Sequence, residues 1–204
     1  MKILRIAVTG SAGSGKSLVC RRFKEIGLVT LDCDVIARQV VEPGMQGFTK
    51  ITQLFGQEIV LKDGSLDRPR LRNIIVNDPK MRKKMEDILH PQIIKEMVAQ
   101  MKNAAYTDKK AVAVEVPLLF ELGMEKQFDV TIVVTANDPD LVKRISDRDK
   151  VTLKDAQKML DLQMPQEEKT VKADYVIINK GTSSELFESV DNLFEEIQKE
   201  FLTT

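Results

Sequence analysis

The stretch that decides the fold of this chain is RIAVTGSAGSGKSLVC, residues 5–20. It begins with an apolar, β-branched run that is typical of a buried strand, turns through three glycines and enters a helical pattern. Residues 10–17, which we call the phosphate loop, fit the pattern G-x-x-x-x-G-K-[ST], with the preceding strand and following helix that this pattern requires. The stretch therefore predicts a loop that cradles a chain of phosphate groups.

The residue types of the phosphate loop match the chemistry of a nucleoside triphosphate. A glycine-rich turn can point its backbone N–H groups inward around an anion, at the positive end of a helix dipole. Lys16 can place a cation on the β- and γ-phosphates, and the Ser17 hydroxyl can ligate Mg²⁺. We predict nucleotide contacts for Ala12, Gly13, Ser14, Gly15, Lys16, Ser17 and Leu18. The alternative, a glycine-rich connection without a ligand, is disfavoured because motif and context agree.

The composition limits the classes of partner. The 204 residues include 31 Lys and Arg and 31 Asp and Glu, so the formal net charge is zero and nothing favours nucleic acid or a membrane surface as the main partner. No apolar run approaches the ~18 residues of a membrane span. The first residues pass straight into a strand and leave no room for a signal peptide, and the two cysteines suggest no disulfide framework, so we expect a cytoplasmic protein. No obligate protein partner is indicated.

Five apolar runs separated by helical patterns predict an α/β protein with a parallel sheet covered by helices on both faces. The predicted strands begin near residues 5, 28, 111, 129 and 175. We expect a single domain over residues 1–204. Residues 43–106 are predicted to form an all-helical insertion that holds the second substrate, with its longest helix bent near Pro91. Residues 138–170 form the predicted lid region, with helices near 138–148 and 152–164.

Three carboxylates stand at or near the carboxyl ends of predicted strands, where open α/β sheets bind ligands: Asp32, Asp34 and Glu115. A kinase needs a carboxylate that accepts the proton of the acceptor hydroxyl, and we predict that Asp34 has this role. Spacing alone explains either aspartate equally well as the N-cap of the helix that follows. Glu115 is predicted to contact Mg²⁺ through water, and the alternative for it is a local hydrogen bond.

Two arginines, Arg144 and Arg148, stand four residues apart and therefore on one face of a predicted helix. Arginines on a lid can close over a triphosphate and neutralise the charge of the transferring phosphoryl group. Spacing alone nevertheless favours a solvated face with ion pairs to Asp147 or Asp149, because such pairs are common on surfaces.

A regulatory GTPase uses the same loop and is excluded by two features. Residues 179–182 read N-K-G-T, which resembles the guanine-reading N-K-x-D motif, but Thr182 stands where the carboxylate is required. No glycine of the chain has an aspartate three residues before it, so the D-x-x-G motif is absent. A non-catalytic nucleotide-binding protein is a third interpretation, and it leaves the carboxylates and arginines unexplained.

The chain resembles the dephospho-coenzyme A kinase family over nearly its whole length. The resemblance includes the phosphate loop and the segments DCDVIAR at residues 32–38, LDRPRLR at 66–72, HP at 90–91, VPLLFE at 116–121 and ADYVI at 173–177, together with both lid arginines. Many kinases share the loop, whereas D-x-D-x-I-A-R and V-P-L-L-F-E, in this order and spacing, are far more specific.

The resemblance implies a P-loop kinase fold with sheet order 2-3-1-4-5 and transfer of the ATP γ-phosphate to the ribose 3′-hydroxyl of dephospho-coenzyme A, with Mg²⁺ accompanying ATP. It implies that Asp34 is the base, that Lys16, Arg144 and Arg148 stabilise the transferring group, and that the helical insertion binds the acceptor. The predicted acceptor contacts are Asp34, Arg68, Arg72, His90 and Leu118. The alternative is a P-loop kinase that acts on another nucleotide or nucleoside.

Overall fold

A computed structural model describes residues 3–202. The strands are β1 (Leu4–Thr9), β2 (Val29–Asp32), β3 (Ala111–Glu115), β4 (Val130–Thr135) and β5 (Tyr175–Ile178). The helices are α1 (Lys16–Glu25), α2 (Cys33–Gln39), α3 (Gln46–Phe55), α4 (Arg68–Asn77), α5 (Pro79–Ala104), α6 (Asp138–Asp149), α7 (Leu153–Asp161), α8 (Gln166–Lys172) and α9 (Ser183–Phe201). The chain divides into two compact units, of which unit 2 covers Asp32–Gln100 and unit 1 covers the remainder.

The sheet of unit 1 has the order β2-β3-β1-β4-β5, so the predicted order and the five predicted strands are confirmed. The central strand β1 pairs in parallel with both β3 and β4, and Val8 stands in register with Glu115 on one side and Ile132 on the other. Ile6, Ala7 and Val8 are completely buried, as the uninterrupted apolar run predicts for a strand covered on both faces. The phosphate loop therefore follows directly after the central strand of the sheet.

Helices α1 and α9 contact each other in unit 1. Phe23 of α1 meets Phe194 of α9 edge to face, with ring centroids 5.8 Å apart, and both rings are buried. The first turn of α9 is capped by Thr182, whose side chain accepts the N–H of Glu185, as the capping pattern T-x-x-E at residues 182–185 predicts. The packing against α9 holds α1, and α1 begins inside the phosphate loop.

Unit 2 is built from α2 to α5 and a short 3₁₀ turn at Gln57–Ile59. Its fully buried side chains include Ile36, Ile51, Ile59 and Met97. Pro91 lies inside α5 and does not end that helix, and the bend expected there stays a prediction. No helix among residues 3–202 combines the length and the apolar character that a membrane crossing requires.

The predicted helix at residues 152–164 is wrong in length. Helix α7 begins after its N-cap Thr152, as expected, but ends at Asp161, and a separate helix α8 begins after Pro165. The sequence signal for α8 is weak because it has only seven residues and mostly charged side chains. The break between α7 and α8 matters because its residues reach the phosphate loop.

Candidate active site

The phosphate loop of unit 1 is held in place by its own backbone and by the side chains of three distant residues, Asn179, Arg144 and Gln163. Gly15, the residue before α1, has φ +105°, in the region that favours glycine. A Cβ at this position would lie 2.5 Å from the side-chain nitrogen of Asn179, so the site requires glycine for space as well. The side chain of Asn179 is buried and donates to the Ser14 carbonyl at 2.8 Å.

Asn179 is therefore a positioning residue that the predicted site did not include. Its side-chain oxygen also accepts the N–H of Gly181 at 3.2 Å, so one amide ties the end of β5 to the loop. The sequence signal was an asparagine directly after a predicted strand. Asn179 was noted as part of a motif that resembles the guanine-reading one and among the residues that resemble the family, but it was given no role in the site.

Lys16 is the cation of the loop, and it is 7% exposed. Its ammonium group donates to the Ser11 carbonyl at 2.9 Å, across the mouth of the loop. A lysine in this position lies within the ring of backbone N–H groups that a phosphate would occupy. The predicted contacts of Lys16 and its neighbours with a nucleotide stay predictions.

Ser17 and Glu115 come together, as expected for the ends of neighbouring elements. The Ser17 hydroxyl donates to one carboxylate oxygen of Glu115 at 3.0 Å. A hydroxyl and a carboxylate are hard oxygen ligands, and Mg²⁺ typically takes only one or two protein ligands of this kind beside phosphate oxygens. The two oxygens of Ser17 and Glu115 therefore fit the predicted Mg²⁺. Their contact is also a local hydrogen bond, which was the alternative interpretation of Glu115.

The two lid arginines have different surroundings. Arg144 donates to the Gly13 carbonyl at 3.1 Å, so α6 touches the phosphate loop through this side chain. Arg148 is 61% exposed and forms an ion pair with Asp149 at 2.8 Å, which is the arrangement that spacing alone favoured. Of the contacts described for these two arginines, the one with the phosphate loop is made by Arg144.

A cleft of about 190 Å³ lies in unit 1 beside the loop. Its walls come from the loop, from α6 and from the segment between β5 and α9: Gly13, Gly15, Leu18, Arg144, Asn179, Gly181, Thr182, Ser183 and Leu186. It combines backbone groups, one cation and apolar side chains, which is the composition of a site for a planar base attached to phosphates.

The two aspartates of D-x-D, which spacing left equivalent, have different partners. Asp32 is the N-cap of α2, and one of its oxygens accepts the backbone N–H of Asp34 at 2.7 Å and that of Val35 at 3.4 Å. The capping alternative therefore describes Asp32. Asp34 is one of the residues that line a cavity of unit 2.

That cavity, which we call the arginine cavity, has a volume of about 400 Å³. One part of its wall is polar and consists of Asp34 with Arg38, Arg68 and Arg72, and Arg68 also donates to the Arg38 carbonyl at 3.4 Å. The rest of the wall is apolar and comes from α2, α3, α4 and α5, from the turn after α2 and from the segment before α4: Ala37, Val41, Ile51, Leu66, Leu71, Ile75, Met85 and Leu89. One carboxylate, three guanidinium groups and an apolar floor can accommodate an anionic ligand that also has an apolar portion.

The predicted acceptor residues are only partly brought together. Asp34, Arg68 and Arg72 line the arginine cavity, as does Arg38, which the predicted set did not include. His90 lies in α5 next to the cavity residue Leu89. Leu118 belongs to unit 1, in the turn after β3, and is 40% exposed. For these two side chains a role in acceptor binding stays a prediction.

Comparison with known proteins adds the sequence context. A family model described as dephospho-CoA kinase matches residues 4–185. A dephospho-CoA kinase of Bacillus cereus is 36% identical over 180 residues, which are 88% of this chain and 90% of that protein. A dephospho-CoA kinase of Listeria monocytogenes is 34% identical over 194 residues, 95% of this chain and 97% of that protein.

Solved structures give the same picture. A dephospho-CoA kinase from Campylobacter jejuni superposes with a TM-score of 0.73 and 30% identity, covering 96% of this chain and 97% of that one. The protein TT1252 from Thermus thermophilus superposes with a TM-score of 0.80 and 29% identity, covering 98% and 99%. A shikimate kinase from Acinetobacter baumannii has a TM-score of 0.57 at 15% identity over 99% and 97% of the two chains, a likeness of fold alone.

Proposed function

This chain belongs to the dephospho-CoA kinase family, and from this premise we propose that it transfers the γ-phosphate of ATP to the ribose 3′-hydroxyl of dephospho-coenzyme A. The products are coenzyme A and ADP, and the reaction is the last step of coenzyme A synthesis. The observation that carries the proposal is the family match over residues 4–185, which includes both the phosphate loop and Asp34.

Unit 1 supplies the binding of ATP in this proposal. The triphosphate lies on the N–H groups of residues 13–17, and the Lys16 ammonium exchanges its contact with the Ser11 carbonyl for phosphate oxygens. Arg144 is already in contact with the loop through the Gly13 carbonyl and supplies a second cation for the charge that develops in transfer. The adenine ring occupies the cleft beside Gly15 and Leu18.

Unit 2 supplies the binding of the acceptor. Dephospho-coenzyme A carries a diphosphate and a long pantetheine arm, in which methyl and methylene groups alternate with amides. The arginine cavity offers Arg38, Arg68 and Arg72 for the anionic part and an apolar wall for the remainder, which supports this assignment. Arginine suits this role because its planar guanidinium can bind two phosphate oxygens at once.

Asp34 is the general base. It lines the same cavity as the three arginines, so a hydroxyl of an acceptor bound there comes within reach of an oxygen that can take its proton. Asp32 is unsuited to this role because its carboxylate already accepts two backbone N–H groups at the start of α2. Asp34 orients the hydroxyl and removes its proton as the oxygen attacks the γ-phosphorus in line.

Mg²⁺ accompanies ATP in the proposal. Bound Mg²⁺ would supply positive charge that offsets part of the charge on the phosphate groups. Ser17 would hold it directly and Glu115 through a water molecule, because these two oxygens already lie 3.0 Å apart beside the loop. Arg148 is proposed to join the site when the lid region, residues 138–170, closes and its ion pair with Asp149 is exchanged for phosphate.

An acceptor panel tests the proposal. ADP release from Mg²⁺-ATP is measured with dephospho-coenzyme A, nucleoside monophosphates, adenosine and uridine as acceptors, with ATP alone as the control for hydrolysis. We expect rapid release with dephospho-coenzyme A and release near the hydrolysis control with the others. Preferred turnover of a nucleotide or nucleoside instead would establish the alternative, a P-loop kinase with another acceptor.

A further inference from the structure

The connection between α7 and α8 reaches the phosphate loop through one side chain. The side-chain oxygen of Gln163 accepts the backbone N–H of Ala12 at 3.0 Å, although the two residues are 151 positions apart in sequence. Ala12 belongs to the outer turn of the loop, and this turn has neither a helix nor a strand to supply a partner for that N–H group. Gln163 therefore satisfies a backbone donor in the part of the loop that is least supported by regular structure.

The segment that carries Gln163 is itself fixed by a buried ion pair. One carboxylate oxygen of Glu121 accepts both the Lys169 ammonium at 2.7 Å and the backbone N–H of Met164 at 3.2 Å. Lys169 is completely buried, so removing its partner would leave an uncompensated charge in the interior. The ion pair thus holds the backbone one residue after Gln163 in a single place.

A second anchor stands on the other side of Pro165. The side chain of Gln166 accepts the backbone N–H of Ala136 at 3.1 Å and donates to the carbonyl of the same residue at 2.9 Å. Ala136 follows β4, so the anchor ties the start of α8 to the carboxyl end of the sheet. With both ends of the short segment 163–166 held, the direction of the Gln163 side chain is set by the sheet and not by the exposed helix α7.

From these contacts we infer that Gln163 is a positioning residue that holds the outer turn of the phosphate loop in the form that binds ATP, and that the Glu121–Lys169 pair places Gln163. Without the Gln163 oxygen, the Ala12 N–H group loses its partner and the turn becomes less ordered. The binding of ATP must then include the cost of ordering the turn, so its affinity falls. The inference rests on the proposed function only in taking ATP as the nucleotide.

The test is a calorimetric titration of the whole protein with Mg²⁺-ATP, without an acceptor. Gln163→Met keeps the length of the side chain and removes the acceptor oxygen, and we expect the Kd for ATP to rise about tenfold, the effect of leaving one N–H group unpaired. The matched control is Gln157→Met. Gln157 and Gln163 line the same surface cleft, but the Gln157 side chain donates to Asp161 within α7. We expect the control to bind ATP within about twofold of the parent protein, as surface substitutions away from such features usually do.

Kinetics separate positioning from mere stability. In Gln163→Met the KM for ATP should rise with its Kd, while the KM for the acceptor stays unchanged. A lower melting temperature with unchanged ATP affinity would overturn the inference, and so would tighter ATP binding, which would mean that Gln163 blocks an N–H group that the triphosphate needs. If Gln163→Met does not fold, Gln163→Asn is measured in its place. Asparagine is shorter by one methylene, so its oxygen no longer reaches Ala12, and the same rise in the Kd and KM for ATP is expected.

A double-mutant cycle tests the role of the ion pair. Glu121→Gln removes the charge that binds Lys169, and we expect its effect on ATP affinity to overlap with that of Gln163→Met, so that the double variant is no worse than the weaker-binding single variant. Additive effects would overturn the coupling. Because the titration contains no acceptor, failure of the parent protein to phosphorylate dephospho-coenzyme A would contradict the proposed function without affecting this result.

Discussion

The phosphate loop of unit 1 and the arginine cavity of unit 2 are built from different kinds of groups. The loop is mainly backbone, with N–H groups directed by glycines and by one helix terminus, and side chains such as Asn179 only hold it in place. The cavity is made of side chains from α2, α3, α4 and α5. A backbone site recognises any phosphate chain, whereas a side-chain site can be specific for one acceptor. Substitutions should therefore act differently in the two regions.

The largest effect is expected at Lys16, the one side chain of the loop that supplies a cation. Lys16→Met should lower kcat/KM about 10³-fold, because the charge that develops on the phosphoryl group loses a preorganised partner. Steady-state ADP release measures this, with Lys24→Met in the exposed last turn of α1 as the control. If Lys16→Met turned over as fast as Lys24→Met, the phosphate loop would not be part of the active site.

Asp34→Asn tests the cavity at its most sensitive position. We expect kcat to fall by about 10²-fold or more with ATP affinity nearly unchanged, because the variant still binds but cannot accept a proton. Asp32→Asn is the matched control, since asparagine caps a helix as well as aspartate does and kcat should stay near that of the parent protein. The opposite pattern, with Asp32→Asn inactive and Asp34→Asn active, would reverse the two roles.

Arg72→Met sharpens the distinction between the two regions. The KM for dephospho-coenzyme A should rise about tenfold or more, the worth of a hydrogen bond to a charged group, while the KM for ATP stays the same. Arg70→Met, on the same helix but outside the cavity wall, should change neither value. A rise in the KM for ATP with an unchanged KM for the acceptor would contradict the assignment of Arg72 to acceptor binding.

The smallest effect is expected outside both regions, where Arg22 of α1 pairs with Asp191 of α9 at 2.6 Å. The hydrogen bond from Arg22, which outweighs desolvation, holds the pKa of Asp191 below its ordinary value. A lowered folded-state pKa contributes stability above the unfolded pKa of about 3.9, and this contribution is lost as the pH falls through the folded pKa.

Thermal unfolding of Asp191→Asn measures that contribution. At pH 7 the melting temperature should drop by about 3 °C or less, since the pair is partly exposed, and the difference should become smaller as the pH falls below about 3.9. Glu188→Gln on the same helix is the control. A difference in melting temperature that does not become smaller in acid, or any change in the KM for either substrate, would contradict this assignment.

The backbone region could largely be predicted from the sequence, since its signals are local. The strand, the glycines and the start of the helix all lie within residues 5–20. Strands β3 and β4 could be predicted from their apolar character alone. The strand order came from the resemblance to a family and is confirmed by the sheet. Short and mostly charged, α8 carried no comparable signal.

The side-chain region could be predicted only in part. Spacing left Asp32 and Asp34 equivalent, because both stand where the same helix was expected to begin. In the structure the backbone is extended at Asp32, which is the N-cap, and Asp34 lies in the first turn of α2. Arg38 could not be distinguished from other helix-surface arginines until α2 and α4 were seen to share a cavity. The contacts of Arg144 with Gly13 and of Gln163 with Ala12 join residues more than a hundred positions apart, and no local pattern encodes them.

The most direct test of the central claim is to follow the labelled γ-phosphate of ATP in a single turnover with dephospho-coenzyme A and with its 3′-deoxy analogue. The account predicts that the label appears in the 3′-phosphate of coenzyme A and that the analogue, which lacks the attacking hydroxyl, receives none. Label transferred to the analogue at a comparable rate, or released only as inorganic phosphate with both compounds, would contradict it.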